Sequence, residues 1–451
     1  MAMGNDLTRG HVGKVLLKFA APFMLANLLQ TLYNLVDAVV VGHFVGADGL
    51  SAVSGGGELI TLYTFIAIGF GGAGQTLIGQ YAGAKDREGI NRTIGTEFTL
   101  LMVLSVGVLA ILLTTGRIQL GWLNVPPEAF EGSVDYLMVC AAGMPFIFGY
   151  NMVSAVLRGM GDSKRPLLFV AVASVLNLVL DLLFVAVFGL GPLGAGLATV
   201  MGQAVSFLWA LVYLYRRREA FGFDFAPHWF KPRKKTLGTL VRLGIPMTAQ
   251  GAMVCISMLY VSAQINLFGV AASAANSIHM KLNNVLRIVS QSMVTAGGGM
   301  VAQSIGAGKR DRVRFVFRWV FIYTMSYCTL CALAIFFFPT QIFGLFNTEP
   351  QVLAYGRIYA LCGVIEYLAY GLRAPGNSVV QGTGAAALGF TACLIDGVIA
   401  RIGLSFLFGH VLGMGVAGFW LGGALAGHTN YFFSAPYYFS GAWKRKKSLV
   451  E

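Results

Sequence analysis

The chain has 451 residues, of which 56% are hydrophobic and 11% charged, with a formal net charge of +13. A soluble domain carries about 25% charged residues. Apolar runs of about 20 residues recur along the whole length, each enough to cross a hydrocarbon core of roughly 30 Å. This composition excludes an ordinary soluble enzyme and predicts a polytopic, all-α membrane protein. The 58 glycines suit closely packed membrane helices.

Apolar runs between polar breaks predict twelve transmembrane helices. The first six lie at about 15–41, 54–82, 93–115, 133–157, 167–188 and 194–215. The second six lie at about 240–267, 275–305, 314–338, 352–380, 387–408 and 414–440. The start has basic residues before an apolar run, but the run exceeds signal-peptide length and lacks a clear small-residue cleavage site. It reads as the first span. Lysine and arginine accumulate on the cytoplasmic side of membrane proteins. Here 26 of the 32 basic residues fall on one face, and the opposite loops hold only Arg117. Both termini are therefore expected in the cytoplasm, and the positive charge needs no nucleic acid to explain it. The other five (Lys281, Arg287, Arg357, Arg373 and Arg401) fall within or beside spans of the second half.

The first span carries Asn27, Gln30, Asn34 and Asp37 at intervals of three to four residues, so on one helical face. The fifth carries Asn177 and Asp181 at i, i+4, and the sixth Thr199, Gln203 and Ser206. Intramembrane polar groups are costly, and buried packing against other helices competes with function as their explanation. Depth helps to decide. At about 1.5 Å per residue, Asp37 is roughly 27 Å from the cytoplasmic edge, Asp181 roughly 21 Å, and Thr199 roughly 8 Å in from the opposite side. All fall in the outer half of the membrane. Two carboxylates, an amide and a hydroxyl at one level suit a proton or a small monovalent cation. Neighbouring carboxylates in low dielectric resist ionising together, which favours proton uptake or exchange for sodium.

The second span ends "GQYAGAKDR" and the eighth "AQSIGAGKR". Gln80 matches Gln303, Gly83 matches Gly306 and Arg87 matches Arg310, all at an offset of 223. "RGMG" from Arg158 matches "QGTG" from Gln381 at the same offset, and Pro22 matches Pro246 at 224. The chain reads as two six-helix lobes, residues 1–215 and 240–451, joined by a basic cytoplasmic linker at 216–239. Six helices per lobe makes the repeat parallel, a construction used by alternating-access transporters.

Other motifs carry less. All six cysteines lie in apolar runs, and the pair Cys328 and Cys331 lacks the partners of a metal site. "GMGD" at Gly159–Asp162 fits the G-x-G-D of intramembrane aspartyl proteases. It lies in a basic loop without a partner span, which leaves an intramembrane enzyme a remote alternative. "GAGKR" at Gly306–Arg310 is not a nucleotide P-loop, since Gln303 and Arg310 occupy required positions. No cofactor or metal is implied, and an ion gradient is the natural energy source.

"LVDAVVVGHFVG", "GQYAGAKDRE", "VLRGMGDSKRP" and "LNLVLDLLF" together resemble the multidrug and toxic-compound extrusion (MATE) family, over essentially the whole chain. The resemblance implies two six-helix lobes and export of small amphipathic, often cationic compounds in exchange for H+ or Na+. It is nearest the DNA-damage-inducible-like and archaeal branch. There an N-lobe cation cluster falls on Asp37, Asn177, Asp181 and Thr199, and a first-helix proline, here Pro22, is proposed to bend. Gln30, Tyr33, Asn34 and Asn151 are candidates for the substrate surface. The seventh-helix carboxylate of other branches has no counterpart here. Glu366 and Asp396 stand one to two turns from Arg373 and Arg401, and pairing with them is expected. An alternative is a flippase or exporter of an anionic lipid-linked sugar or other anion, with Lys281, Arg287, Arg373 and Arg401 facing phosphates. A monomer in the plasma or inner membrane is expected.

Overall fold

The computed structural model describes residues 5–123 and 125–450. Twelve long helices run in sequence. They are α1 (Val12–Phe44), α2 (Ala47–Ala84), α3 (Arg87–Trp122) and α4, which runs Pro127–Ala142 and resumes as Met144–Gly159 after a 52° bend. Next come α5 (Lys164–Val187), α6 (Gly191–Arg216), α7 (Lys234–Asn266) and α8 (Val270–Gly306). Last are α9 (Arg310–Phe337), α10 (Pro350–Gly382), α11 (Ala386–Val411) and α12 (Gly415–Phe439). Among the described residues, nine helices, or ten with bent α4 as one span, are long and apolar enough to cross a membrane. α8 and α12 have the length but fall below that apolarity. This is an all-helical membrane fold.

Local chemistry explains where the helices begin and end. Proline stands in the first turn of α4, α6 and α10, where its missing N–H costs nothing. Asp86 caps α3 by accepting the Gly89 N–H at 2.9 Å. The turns also repeat between the halves. Gly46 and Gly269 have φ of 87° and 99°, Gly161 and Gly384 79° and 67°, and Gly189 and Gly413 65° and 67°. These left-handed positions recur at offsets of 223 or 224, and a side chain at any of them is strained. The repeat is thus a repeat of backbone conformation.

Two compact units form. The first comprises the residues up to Asp6 and Ala21–Thr248, the second Leu7–Ala20 and Ala249–Glu451. The opening turns of α1 therefore belong to the second unit, and those of α7 to the first. Pro22 and Pro246 lie within three residues of these crossings.

In the first unit the linker is docked on α3. The Gly222 carbonyl accepts from Arg87 Nε at 3.0 Å and Asn91 Nδ2 at 2.6 Å, and the Asp224 N–H donates to Asn91 Oδ1 at 3.0 Å. Thr99 Oγ1 donates to the Phe230 carbonyl at 2.6 Å. In the second unit the end of α8 and start of α9 hold the N-terminal segment. Gln303 accepts the Leu7 N–H at 3.0 Å, and Lys309 donates to the Thr8 carbonyl at 3.1 Å. Arg312 donates to the carbonyls of Leu7, Arg9 and Gly10. Part of the basic loop charge is therefore spent on capping backbone carbonyls.

Candidate functional site

In the first unit, α1, α5 and α6 bring four of the polar residues together. The carboxyls of Asp37 and Asp181 lie within hydrogen-bonding reach of each other. Asp181 is fully buried and Asn177 nearly so. With its amide oriented to satisfy both ends, Asn177 donates to Asp181 Oδ2 at 2.9 Å and accepts the Thr199 N–H at 3.2 Å. Thr199 thus takes part through its backbone, while its side chain lines the adjoining cleft. Among the described residues no donor reaches Oδ1 of Asp37 or Oδ1 of Asp181. Two carboxyls in contact, short of donors, require a shared proton or a bound cation between them. Tyr33, Tyr136 and Cys140 lie near Asp37.

A narrow cleft, open to the outside, adjoins this pair; its walls include Gln30, Tyr33, Tyr150, Asn177, Thr199 and Gln203. Of the four candidate substrate residues, Gln30 and Tyr33 face it. Asn34 is exposed on α1 and does not line it. Asn151 turns its amide onto its own helix, donating to the Ile147 carbonyl at 2.8 Å. The neighbouring Tyr150 reaches the cleft instead, and an aromatic in an apolar run gave no signal to single it out. Pro22 is buried within α1 and the helix continues past it.

The second unit pairs its charges differently from the expectation. Asp396 takes both arginines, Arg373 at 3.4 Å and Arg401 at 3.1 Å. Glu366 meets neither directly. His279 Nε2 lies 3.1 Å from it, Asn283 donates to it at 2.8 Å and Tyr359 at 3.2 Å. His279 Nδ1 faces Asn276 Oδ1 at 3.3 Å, and that oxygen also accepts the Trp420 indole N–H at 3.1 Å. The spacing of His279 and Asn283, i and i+4 on α8, was the available signal; it names a face and not its partner. Lys281 lies over the Phe346 ring, and Arg287 bonds Asn284 on its own helix. Among the described residues no cluster of His, Cys, Asp and Glu could hold a metal ion, and all six cysteines are free.

A two-part arrangement of this kind can be compared with known proteins. The MatE family model matches residues 22–183 and 246–417, once in each half. The probable multidrug resistance protein YpnP of Bacillus subtilis is 30% identical over 99% of both chains. YoeA of the same organism, also a probable multidrug resistance protein, is 29% identical over 95% of this chain and 94% of its own. Among solved structures, a MOP superfamily transporter from Pyrococcus furiosus superposes with a TM-score of 0.89 at 22% identity, covering 99% of this chain and 98% of its own. That likeness carries the fold. The match to this family over both halves leaves the glycine-rich "GMGD" no role as a protease motif. With both halves matched and a relative aligned end to end, the chain belongs to the MATE family of multi-pass membrane transporters for small molecules.

Proposed function

We propose that this protein is a secondary antiporter that exports amphipathic, mainly cationic compounds in exchange for H+ or Na+, by alternating access. Asp37 and Asp181 carry the coupling cation, and Asn177 and Thr199 supply neutral groups around it. Gln30 and Tyr33 contribute to the substrate surface beside it. Pro22 allows α1 to change course as the pair fills and empties. The protein acts as a monomer in the plasma or inner membrane with both termini in the cytoplasm.

The observation that carries this reading is the contact between half-buried Asp37 and buried Asp181, a carboxyl pair short of donors beside a cleft. A cation there does work only if it binds the two access states unequally. The pair meets that requirement if opening the cleft separates the carboxyls, because a separated pair holds one positive charge less tightly.

The test is transport of a fluorescent organic cation in proteoliposomes with imposed H+ or Na+ gradients of either sign. The expected result is uphill substrate movement driven by one of the two ions. Substrate movement indifferent to both gradients would overturn the reading.

A further inference from the structure

The second unit exposes two arginines at the repeat positions where the first unit buries an asparagine and a glycine. At the offset of 223, Asn91, Gly95 and Phe98 of α3 correspond to Arg314, Arg318 and Phe321 of α9. Spaced i, i+4 and i+7, each set forms one helical stripe. In the first unit the linker covers that stripe. Asn91 bonds Gly222 and Asp224, a Cβ on Gly95 would clash with the Trp229 carbonyl, and the Phe230 ring packs on Phe98 with centroids 5.4 Å apart. In the second unit Arg314, Arg318 and Phe321 are all exposed. Neither guanidinium forms a hydrogen bond or ion pair among the described residues, although Asp311 stands one turn before Arg314.

The general excess of basic residues on one side of a membrane protein explains a charge at a helix end. It does not explain two unpaired guanidiniums, one turn apart, on an uncovered stripe of an apolar span. A guanidinium facing lipid there is costly, and it reaches the headgroup level along its own stem. Phosphate oxygens at that level match its fork of donors. The stripe is also polarised along the helix axis. Its charges lie near the start of α9 and Phe321 lies deeper, so an occupant needs an anionic head above an apolar tail. Tyr438 lies near Arg314 and stacks flat on Phe317, with ring centroids 3.7 Å apart, so an aromatic wall flanks the stripe. Arg310 bonds the Lys444 carbonyl, which brings the basic run Lys444–Lys447 to the same end of the unit. We propose that this stripe binds one anionic phospholipid, its phosphate held between Arg314 and Arg318 and an acyl chain lying along Phe321. The site lies on the outer surface of the second unit, apart from the carboxyl pair of the first.

The test is native mass spectrometry of the full-length protein, delipidated in detergent and titrated with phosphatidylglycerol or phosphatidylcholine of matched chains. One phosphatidylglycerol is expected to bind at least about tenfold more tightly than phosphatidylcholine. Arg314→Gln combined with Arg318→Gln should bring that first phosphatidylglycerol down to the phosphatidylcholine level, and each single variant should weaken it severalfold. Arg216→Gln combined with Arg217→Gln removes the same charge from an exposed pair at the start of the linker and should leave the binding unchanged. Equal binding of the two lipids by wild type overturns the proposal. So does an equal loss in the two double variants, which would assign the preference to diffuse positive charge. Displacement of the lipid by sn-glycerol 1-phosphate at the concentration the lipid itself requires also overturns it, because the site would then read a soluble phosphate.

Discussion

Replacing Asp37 by asparagine removes one of two carboxyls in contact while keeping size and shape. A monovalent cation seated between them is about 4 Å from each charge. At the effective dielectric of about 20 that suits protein sites, one such interaction is worth about 4 kcal/mol. The new amide can donate to Asp181, which lacks a donor on Oδ1, and that bond returns about 2 kcal/mol. The net loss of about 2 kcal/mol corresponds to roughly 30-fold weaker cation binding. The assay is gradient-driven export in proteoliposomes as a function of coupling-ion concentration, with binding measured separately on purified protein. Asp181→Asn should produce a loss of similar size. The double variant should lose much less than the sum, because two groups in contact act as a unit. Wild-type ion dependence in Asp37→Asn, or strictly additive losses in the double variant, would refute the reasoning.

Four further outcomes follow from particular contacts. Asn177→Leu removes the 2.9 Å donor to Asp181, a bond to a charged group worth about 1.5–3 kcal/mol; gradient-driven transport should fall at least about tenfold, with expression unchanged. Asp396→Asn leaves buried Arg401 without its carboxylate; a loss of about 3–5 kcal/mol should appear as a much lower melting temperature in detergent. Gly422→Ala would place a Cβ 2.4 Å from the Ser405 backbone nitrogen; backbone cannot yield as a side-chain tip can, so the variant should lose about 1–3 kcal/mol, read by the same melt. Arg117→Ala breaks an exposed pair with Glu131 and a cation–π contact over the Phe130 ring; stability should change by no more than about 1 kcal/mol, and a large shift in melting would contradict this.

The sequence by itself determined the class of this protein and the repeat between its halves. Each is a property of position along one chain. Apolar run length is set by bilayer thickness, and the repeated glycines by the left-handed turns they make. Choice of partner has no such one-dimensional signature. Asp396 collects both Arg373 and Arg401, while Glu366 turns to His279 and Asn283, because the facing of α8, α10 and α11 decides which of several near neighbours is met. Asn34 and Asn151 carry amides as good as that of Asn177. One stays exposed beside the cleft and the other bonds its own helix, for reasons of rotation about the helix axis. The docking of the linker on α3 and the exchange of the first turns of α1 and α7 between units are likewise tertiary facts. Spacing places a side chain on a face, and only packing in three dimensions decides what that face meets.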